Sequence, residues 1–558
     1  MGHLQATSYF PAVPPTLPAP ADLLIESIRS HLARGEWLAA AQAARRALEQ
    51  EESAEAHELL GLASWWLSDA ETLFASRERA YRLYIQRNEP RRAARVATWL
   101  DWDSRAFRGE PAVANGWLRR ARRLLEGHED SAEYGWLMLR MADARLGTDA
   151  LAAKAGAAEA VALARRHHDA DLEHLALSLE GLARVAAGEV TAGMEMLDEA
   201  TAAVVADEFT DRSAAGVTCC HLITACELVR DFDRAGQWCG RVREYCRRWD
   251  HPPLFAVCRT QYAGVLISRG DWSSAEQELD SAVVELAELR PGWISMGQLG
   301  LAELRRRQGR LDEAQKLSEP YAAAPQATLG LAAIALERGA PAEAERLARR
   351  ALKQFAQCNH TARAASLELI VLAAAAGGRP DSAAAELAEL EELSSKVESE
   401  AIRASAHLAA AMARPELARA GLEEAAAGYA RAGIPYEALR ARLFLAEQLQ
   451  TEGAIEAAVA EAGAVARQAR ELGAKGLELR AEALYGSLKA KGEGPGSLTP
   501  REREVLALVA QGLTNRKIAT RLGVSEHTVH RHVANIFTRL GLSSRTAAVA
   551  YGLRHGIG

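Results

Sequence analysis

The sequence predicts an all-α fold in two parts: a long stack of helix hairpins, then a small separate four-helix domain at the C-terminal end. Three observations predict it. From Ala21 to about Tyr485 the text is rich in Ala, Leu, Glu and Arg at helical spacing, and the alternation of a strand is absent. A short turn pattern recurs along that stretch at 30 to 42 residues. Charge then divides: residues 498–558 hold nine Lys/Arg against three carboxylates, net +6, while the first 497 carry -13 of the total -7. A basic module after an acidic one suggests that only the tail binds a polyanion.

The first twenty residues hold five of the eighteen prolines and read as a flexible arm, 1–20. Residues 21–485 form the repeat region. Its pattern is Gly-x-(apolar or Pro)-x-x-Ala, as in Gly35, Trp37, Ala40 and Gly270, Trp272, Ala275. Further turns start at Gly109, Gly147, Gly188, Gly309, Gly339, Gly378 and Gly453, with Ser68, Arg230 and Ala413 in the glycine place of three others. Glycine takes the left-handed conformation that ends one helix, and the bulky residue or proline two places on fixes the turn. One such hairpin cannot bury its apolar face alone, so twelve should stack into a superhelix with a concave surface. The turn resembles that of tetratricopeptide repeats, though the period is longer and looser; armadillo- or HEAT-like stacking is the alternative.

Gly486–Ser497 reads as a flexible tether. Beyond it, Thr499, Pro500 and Glu502 form a capping box that starts a helix to about Gln511, burying Val505, Leu506 and Val509. Thr514 caps a second helix, Asn515 to Leu522, ended by Gly523; Ser525 caps a third, Glu526 to about Leu540, ended by Gly541. Two short helices about a Gly-Val-Ser turn make a helix-turn-helix. Val529, Val533, Ile536, Phe537 and Leu540 share an apolar face, and Glu526, His527, His530, Arg531 and Ala534 the opposite one. A DNA-reading helix needs that division.

Leu498–Leu506, Gly512–Ala519 and Ser525–His532, with Asn535, Ile536, Arg539, Leu540 and Gly541, resemble the LuxR/GerE-type DNA-binding domain. The resemblance covers 61 of 558 residues. It implies a bacterial, sequence-specific transcription regulator that binds double-stranded DNA. Its DNA-binding residues would be Thr514, Asn515, Arg516, Lys517, Ser525, His527, Thr528, His530, Arg531, His532, Ala534 and Asn535. Of these, His530, Arg531 and Ala534 match base-facing places, and Thr514, Asn515, Thr528 and His532 backbone-contacting or positioning ones. Two residues depart from the usual pattern, His530 where lysine is common and Lys517 where glutamate is. A mostly neutral histidine is a weaker guanine ligand, so the first departure bears on the base read. The fourth helix, about Arg545 to His555, resembles the family's dimerisation helix and implies a homodimer on two-fold DNA half-sites. RNA polymerase is a further candidate partner. The layout resembles in part that of MalT-like regulators, yet no Gly-x4-Gly-Lys-(Ser/Thr) occurs, so the phosphate cradle of their nucleotidase is missing.

Composition limits the other classes. With 49% hydrophobic and 25% charged residues and a mean hydropathy of -0.15, the chain reads as globular. Its longest apolar run, Leu369 to Ala376, is too short to span lipid. The absence of a basic-then-apolar leader, and seven cysteines, too few for a disulfide scaffold and odd in number, predict a cytoplasmic protein. No cofactor, metal or enzyme activity is expected: His57-Glu58 has Gly61 where a metalloprotease needs its second histidine, and no nucleophile and base set stands out. Cys219, Cys220, Cys226, Cys239, Cys246 and Cys258, with His221 and His251, admit a metal or redox sensor, but their spacing fits core packing better. His167, Asp171 and His174 admit a metal on one helix face, but Arg165–Asp171 reads rather as a polar connection. All eleven tryptophans precede residue 294; they predict a bulkier core in that half, or else an aromatic-lined groove including Trp65, Trp66, Trp99, Trp102 and Trp117.

The sequence therefore reads as a DNA-binding regulator whose repeats bind a ligand or partner and control the tail. The alternative is a helical-repeat interaction scaffold with a weak or vestigial DNA-binding tail.

Overall fold

The computed structural model describes residues 20–249, 252–492 and 498–557, and every regular element among them is helical. Residues 1–19 of the expected arm lie outside the described residues. Twelve helix hairpins follow one another among those described, from Pro20–Ala33 with Trp37–Gln50 to Pro435–Thr451 with Ile455–Leu472, and the single helix Lys475–Gly492 ends the array.

The hairpin turns fall at the twelve expected positions. Gly35, Ser68, Gly109, Gly188, Arg230, Gly270, Gly309, Gly339, Gly378 and Gly453 all take positive φ, between 58° and 89°. Ser68 and Arg230 do so without glycine, at roughly 1–2 kcal/mol each. Gly147 and Ala413 depart from the expectation. Gly147 sits in a longer turn, where the Asp149 N–H reaches the Arg145 carbonyl at 2.7 Å and Asp149 caps the next helix. Ala413 ends its helix, and Pro415–Leu417 makes a 3-10 turn instead. Small residues let helices of a hairpin meet closely: a Cβ on Gly181 would lie 2.7 Å from the Gly193 carbonyl oxygen.

The chain divides into two compact units. One comprises residues up to Val265 with Ser274–Leu301 and Lys353–Arg363; the other comprises Leu266–Ser273, Ala302–Leu352 and Ala364–Gly558. Within the first, residues 179 to 225 apart in sequence touch, as successive windings of a superhelix do. Arg212 donates to the Ala33 carbonyl at 3.0 Å. Asn359 accepts from the Ala150 N–H at 2.9 Å and donates to the Leu146 carbonyl at 2.8 Å. Arg290, fully buried, donates to the Trp65 carbonyl at 2.6 Å and the Ser68 hydroxyl at 2.9 Å, with its guanidinium over the Phe107 ring. Within the second unit the Gly309 turn abuts Gly476, and Trp272 meets Tyr436 at 6.0 Å between ring centroids.

The last repeat helix runs past Tyr485 to Gly492, so residues 486–492 are helical where a tether was expected; 493–497 lie outside the described residues. The reason is packing. Leu484, Tyr485 and Leu488 follow helical spacing, and Leu488 is fully buried against Ala446, Leu449 and Ala462.

Candidate nucleic-acid interface

The C-terminal residues build a domain with its own core. Four helices, Pro500–Ala510, Asn515–Leu522, Glu526–Leu540 and Arg545–Arg554, bury Val505, Leu506, Val509, Ile518, Val529 and Ile536 together. Their bounds match the expected ones within a residue. The first three N-termini are held by the expected caps, and Ser544 caps the fourth. Thr499 accepts from the Glu502 N–H at 3.2 Å while Glu502 accepts from the Thr499 N–H at 2.9 Å, closing the capping box. Thr514 accepts from the Lys517 N–H, and Ser525 from the Thr528 N–H at 3.1 Å. Gly512, Gly523 and Gly541 take the left-handed conformation that ends the first three helices.

Three arginines fix how these helices meet. Arg539, near the end of the third helix, donates to Glu502 at 2.8 Å. Burial opposes charge on Glu502, yet its hydrogen bonds from Thr499, together with Arg539, hold its carboxyl below the usual range. Arg501 donates to the Leu522 carbonyl at 2.7 Å, tying the first helix to the end of the second. Arg545 donates to Asn515 at 2.8 Å and to the Leu513 carbonyl, setting the fourth helix against the start of the second. The fourth helix also packs on the first through Gly552, where a Cβ would lie 2.8 Å from the Ala510 methyl group.

This frame presents one polar face. On the third helix Val529, Val533, Ile536 and Leu540 are buried, and Phe537 is packed against that core. His527, His530, Arg531, Ala534 and Asn535 are exposed, and Thr528 and His532 half-buried. Residues 527, 530, 531 and 534 recur at three- and four-residue spacing, which puts them on one side of the helix. At ~1.5 Å per residue the helix is about 22 Å long, and a B-DNA major groove about 12 Å wide admits it. Thr514, Arg516, Lys517 and Ser525 are exposed at the neighbouring helix starts, and Asn515 is half-buried with its carbonyl oxygen taken by Arg545. Arg521, on the second helix, is also exposed.

The family "Bacterial regulatory proteins, luxR family" (GerE) matches residues 496–551. The C-terminal domain is a LuxR-family helix-turn-helix. Among curated relatives, this LuxR-family segment is 46% identical over 71 residues to the HTH-type transcriptional regulator Mb0914c of Mycobacterium bovis, 13% of this chain and 8% of that protein. It is 48% identical over 59 residues to the response regulator Rre1 of Synechocystis, 11% and 26% of the two chains. It is 48% identical over 54 residues to the nitrate/nitrite response regulator NarL of Escherichia coli, 10% and 25%. The chain thus spans a quarter or less of the length of most of these relatives, and the match is confined to the LuxR-family domain. Solved structures similar to the chain include the APC/C Cut9-Hcn1 hetero-tetramer, at TM-score 0.34 and 11% identity over 84% of this chain and 96% of that one. Aspartyl phosphate phosphatase F from Bacillus subtilis scores 0.33 at 11% identity, over 68% and 96%.

Outside the LuxR-family domain the other expected sites resolve as follows. Cys219, Cys226 and Cys239 are buried, and burial pushes the Cys239 thiol up to about 12 and that of Cys226 higher still, so neither is an available thiolate near neutral pH. His251 and the side chain of Cys246 lie outside what is described. His167 ends one helix, Asp169 caps the next, and Asp171 accepts from Thr210 and Asp211, so His167, Asp171 and His174 do not share a helix face. Among the described residues no group of three or more His, Cys, Asp or Glu is placed to hold a metal ion, and no helix is long and apolar enough to cross a membrane. Trp65 is buried in the core, and Trp102 and Trp117 pack against it. Trp66 and Trp99, joined by Trp37 and Trp136, line a cavity of about 470 Å³ in the first unit, with Trp37 stacked on Trp66 at 4.7 Å. Two ion pairs stand at its wall, Arg95 with Glu58 at 3.5 Å and Arg77 with Asp103 at 2.9 Å.

Proposed function

We propose that the chain is a sequence-specific DNA-binding transcription regulator, cytoplasmic and dimeric on DNA, whose helical repeats bind a ligand or protein partner and control the LuxR-family domain. The observation that carries the DNA reading is the Glu526–Leu540 helix: an apolar face locked into the domain core, and opposite it an exposed run of His527, His530, Arg531 and Ala534. In this reading Arg531 and His530 meet base edges, and Ala534 gives an apolar contact. Thr514, Asn515, Arg516, Lys517, Ser525, Thr528 and Asn535 hold or approach the phosphate backbone, and His532 positions the helix. The Arg545–Arg554 helix supports a dimer, since Leu553 is 65% exposed on it while Ala548 and Gly552 face the domain.

The test is affinity for a selected site with Arg531→Ala in the full chain. A loss of ~1–3 kcal/mol with relaxed preference at one base position is expected. Unchanged affinity and unchanged preference would mean that this face does not read DNA.

A further inference from the structure

The second unit contains a cavity of about 450 Å³ that is distinct in chemistry from the tryptophan-lined one. It gathers residues from seven helices, Ile294–Arg307, Leu311–Ser318, Pro325–Glu337, His360–Ala376, Glu400–Ala413, Pro435–Thr451 and the last helix Lys475–Gly492. Its volume falls within the ~300–1,000 Å³ of small-molecule sites. Much of the wall is apolar, including Leu336, Leu369, Leu372, Phe444 and Leu477.

The rest of the lining is one-sided in charge. Arg306, Arg307, Arg440 and Arg480 line the cavity, with Glu337 as the one carboxylate among them. The other carboxylates that hold these arginines are not part of the lining. Glu303 takes Arg306 at 2.7 Å and Arg307 at 2.6 Å, Glu437 takes Arg440 at 2.9 Å and Arg307 at 3.6 Å, Glu368 also takes Arg440, and Glu447 takes Arg480 at 3.0 Å. Glu337 is paired with Arg306, and its burial holds that carboxyl above the ordinary range. The Arg307 Nη1 is buried without a hydrogen-bond partner. Arg306 and Arg307 lie against the Tyr436 ring at 5.7 and 5.0 Å.

These features choose between ligand classes. A polyol would find only guanidinium groups, one carboxylate and the Tyr436 hydroxyl as side-chain partners, with no Asn, Gln, Ser or Thr in the lining, and Tyr436 is flanked by guanidinium groups. A cation would meet four arginines. We infer that the cavity binds an amphipathic organic anion, a carboxylate or phosphate head on an apolar body, with the head on the arginine wall and the body on the leucines. Arginine forks suit both heads. The inference rests on the reading of the repeats as the ligand-binding part of the chain.

Titration calorimetry on the full chain tests it, with octanoate and octyl phosphate as probes and octanol and octyltrimethylammonium as matched controls. One saturable site per chain is expected for at least one anion, at least tenfold tighter than either control; the head that binds tells carboxylate from phosphate. Arg307→Gln should weaken the anion at least tenfold. Because that change also strips a partner from Glu303 and Glu437, Ala376→Trp is the second variant: Ala376 is exposed on the cavity rim, outside the ion pairs, and the indole would fill the opening. It should weaken binding similarly. No saturable anion binding, equal binding of octanol or the cation, or unchanged binding in Ala376→Trp would overturn the inference. Anion binding with no change in DNA affinity would support the cavity and overturn only its control of the LuxR-family domain.

Discussion

Arg290→Met tests what holds the windings of the first unit together. Arg290 is fully buried, and it makes three hydrogen bonds, to the Trp65 carbonyl at 2.6 Å, the Leu289 carbonyl at 2.7 Å and the Ser68 hydroxyl at 2.9 Å. Its guanidinium stacks on Phe107 at 3.9 Å and Trp65 at 4.6 Å. Burial works against it, lowering its pKa to about 9. Hydrogen bonds to a charged group are worth ~1.5–3 kcal/mol each, and the desolvation of a buried ion returns several kcal/mol of that sum. Methionine keeps most of the packing volume, so the net loss should be about 3 kcal/mol. At roughly 2–4 °C per kcal/mol for a unit of this size, that is a fall of about 6–12 °C in the first calorimetric transition. Arg290→Lys should behave like Arg290→Met, because an ammonium keeps the charge but cannot span both Trp65 and Ser68. A transition within about 1 °C of the parent for Arg290→Met would refute the claim that this side chain joins windings 225 residues apart.

Three further outcomes are expected. His221 is buried beside Ser178, and burial, with Arg140 adding to it and Asp143 opposing, depresses its pKa to about 4. The unfolded chain therefore takes up this proton first: the stability is intact at pH 7 and is lost as pH falls from about 6.5 to 4, by ~3 kcal/mol in all. His221→Gln should flatten that part of the urea-midpoint profile, and parallel profiles would count against it. Glu502→Gln should cost roughly 1–2 kcal/mol by weakening both the capping box and the pair with Arg539, read as thermal unfolding of residues 498–558; no change would mean the box is solvent-replaceable. Lys517→Gln should weaken DNA binding evenly across sequences and reduce the salt slope by about 1, whereas a change confined to one base position would make it a base contact instead.

How much was legible in advance follows from the range of each interaction. Caps and turns are local, so Thr499, Thr514 and Ser525 announced the three helix starts of the LuxR-family domain, and Gly523 and Gly541 two of the helix ends. The hairpin turns were legible for the same reason, except at Gly147 and Ala413, where a capping aspartate and a following proline made other turns. The glycines of residues 486–492 pointed to a tether, but Leu488 had found a buried place that composition does not show. Contacts such as Arg290 with Trp65, or the convergence of Arg306, Arg440 and Arg480 on one cavity, join residues far apart in the chain. A repeat region full of Arg and Glu offers many such pairs, and only the superhelical winding decides which of them meet.

The most direct measurement of the central claim is sequence selection from a random DNA pool with the full chain, followed by affinities for the winning and scrambled sites at two salt concentrations. The account predicts a two-fold symmetric winner, preferred by about a thousandfold or more, from the full chain or, where the repeats hold the domain inactive, from residues 498–558 alone. No winner from either protein would contradict it.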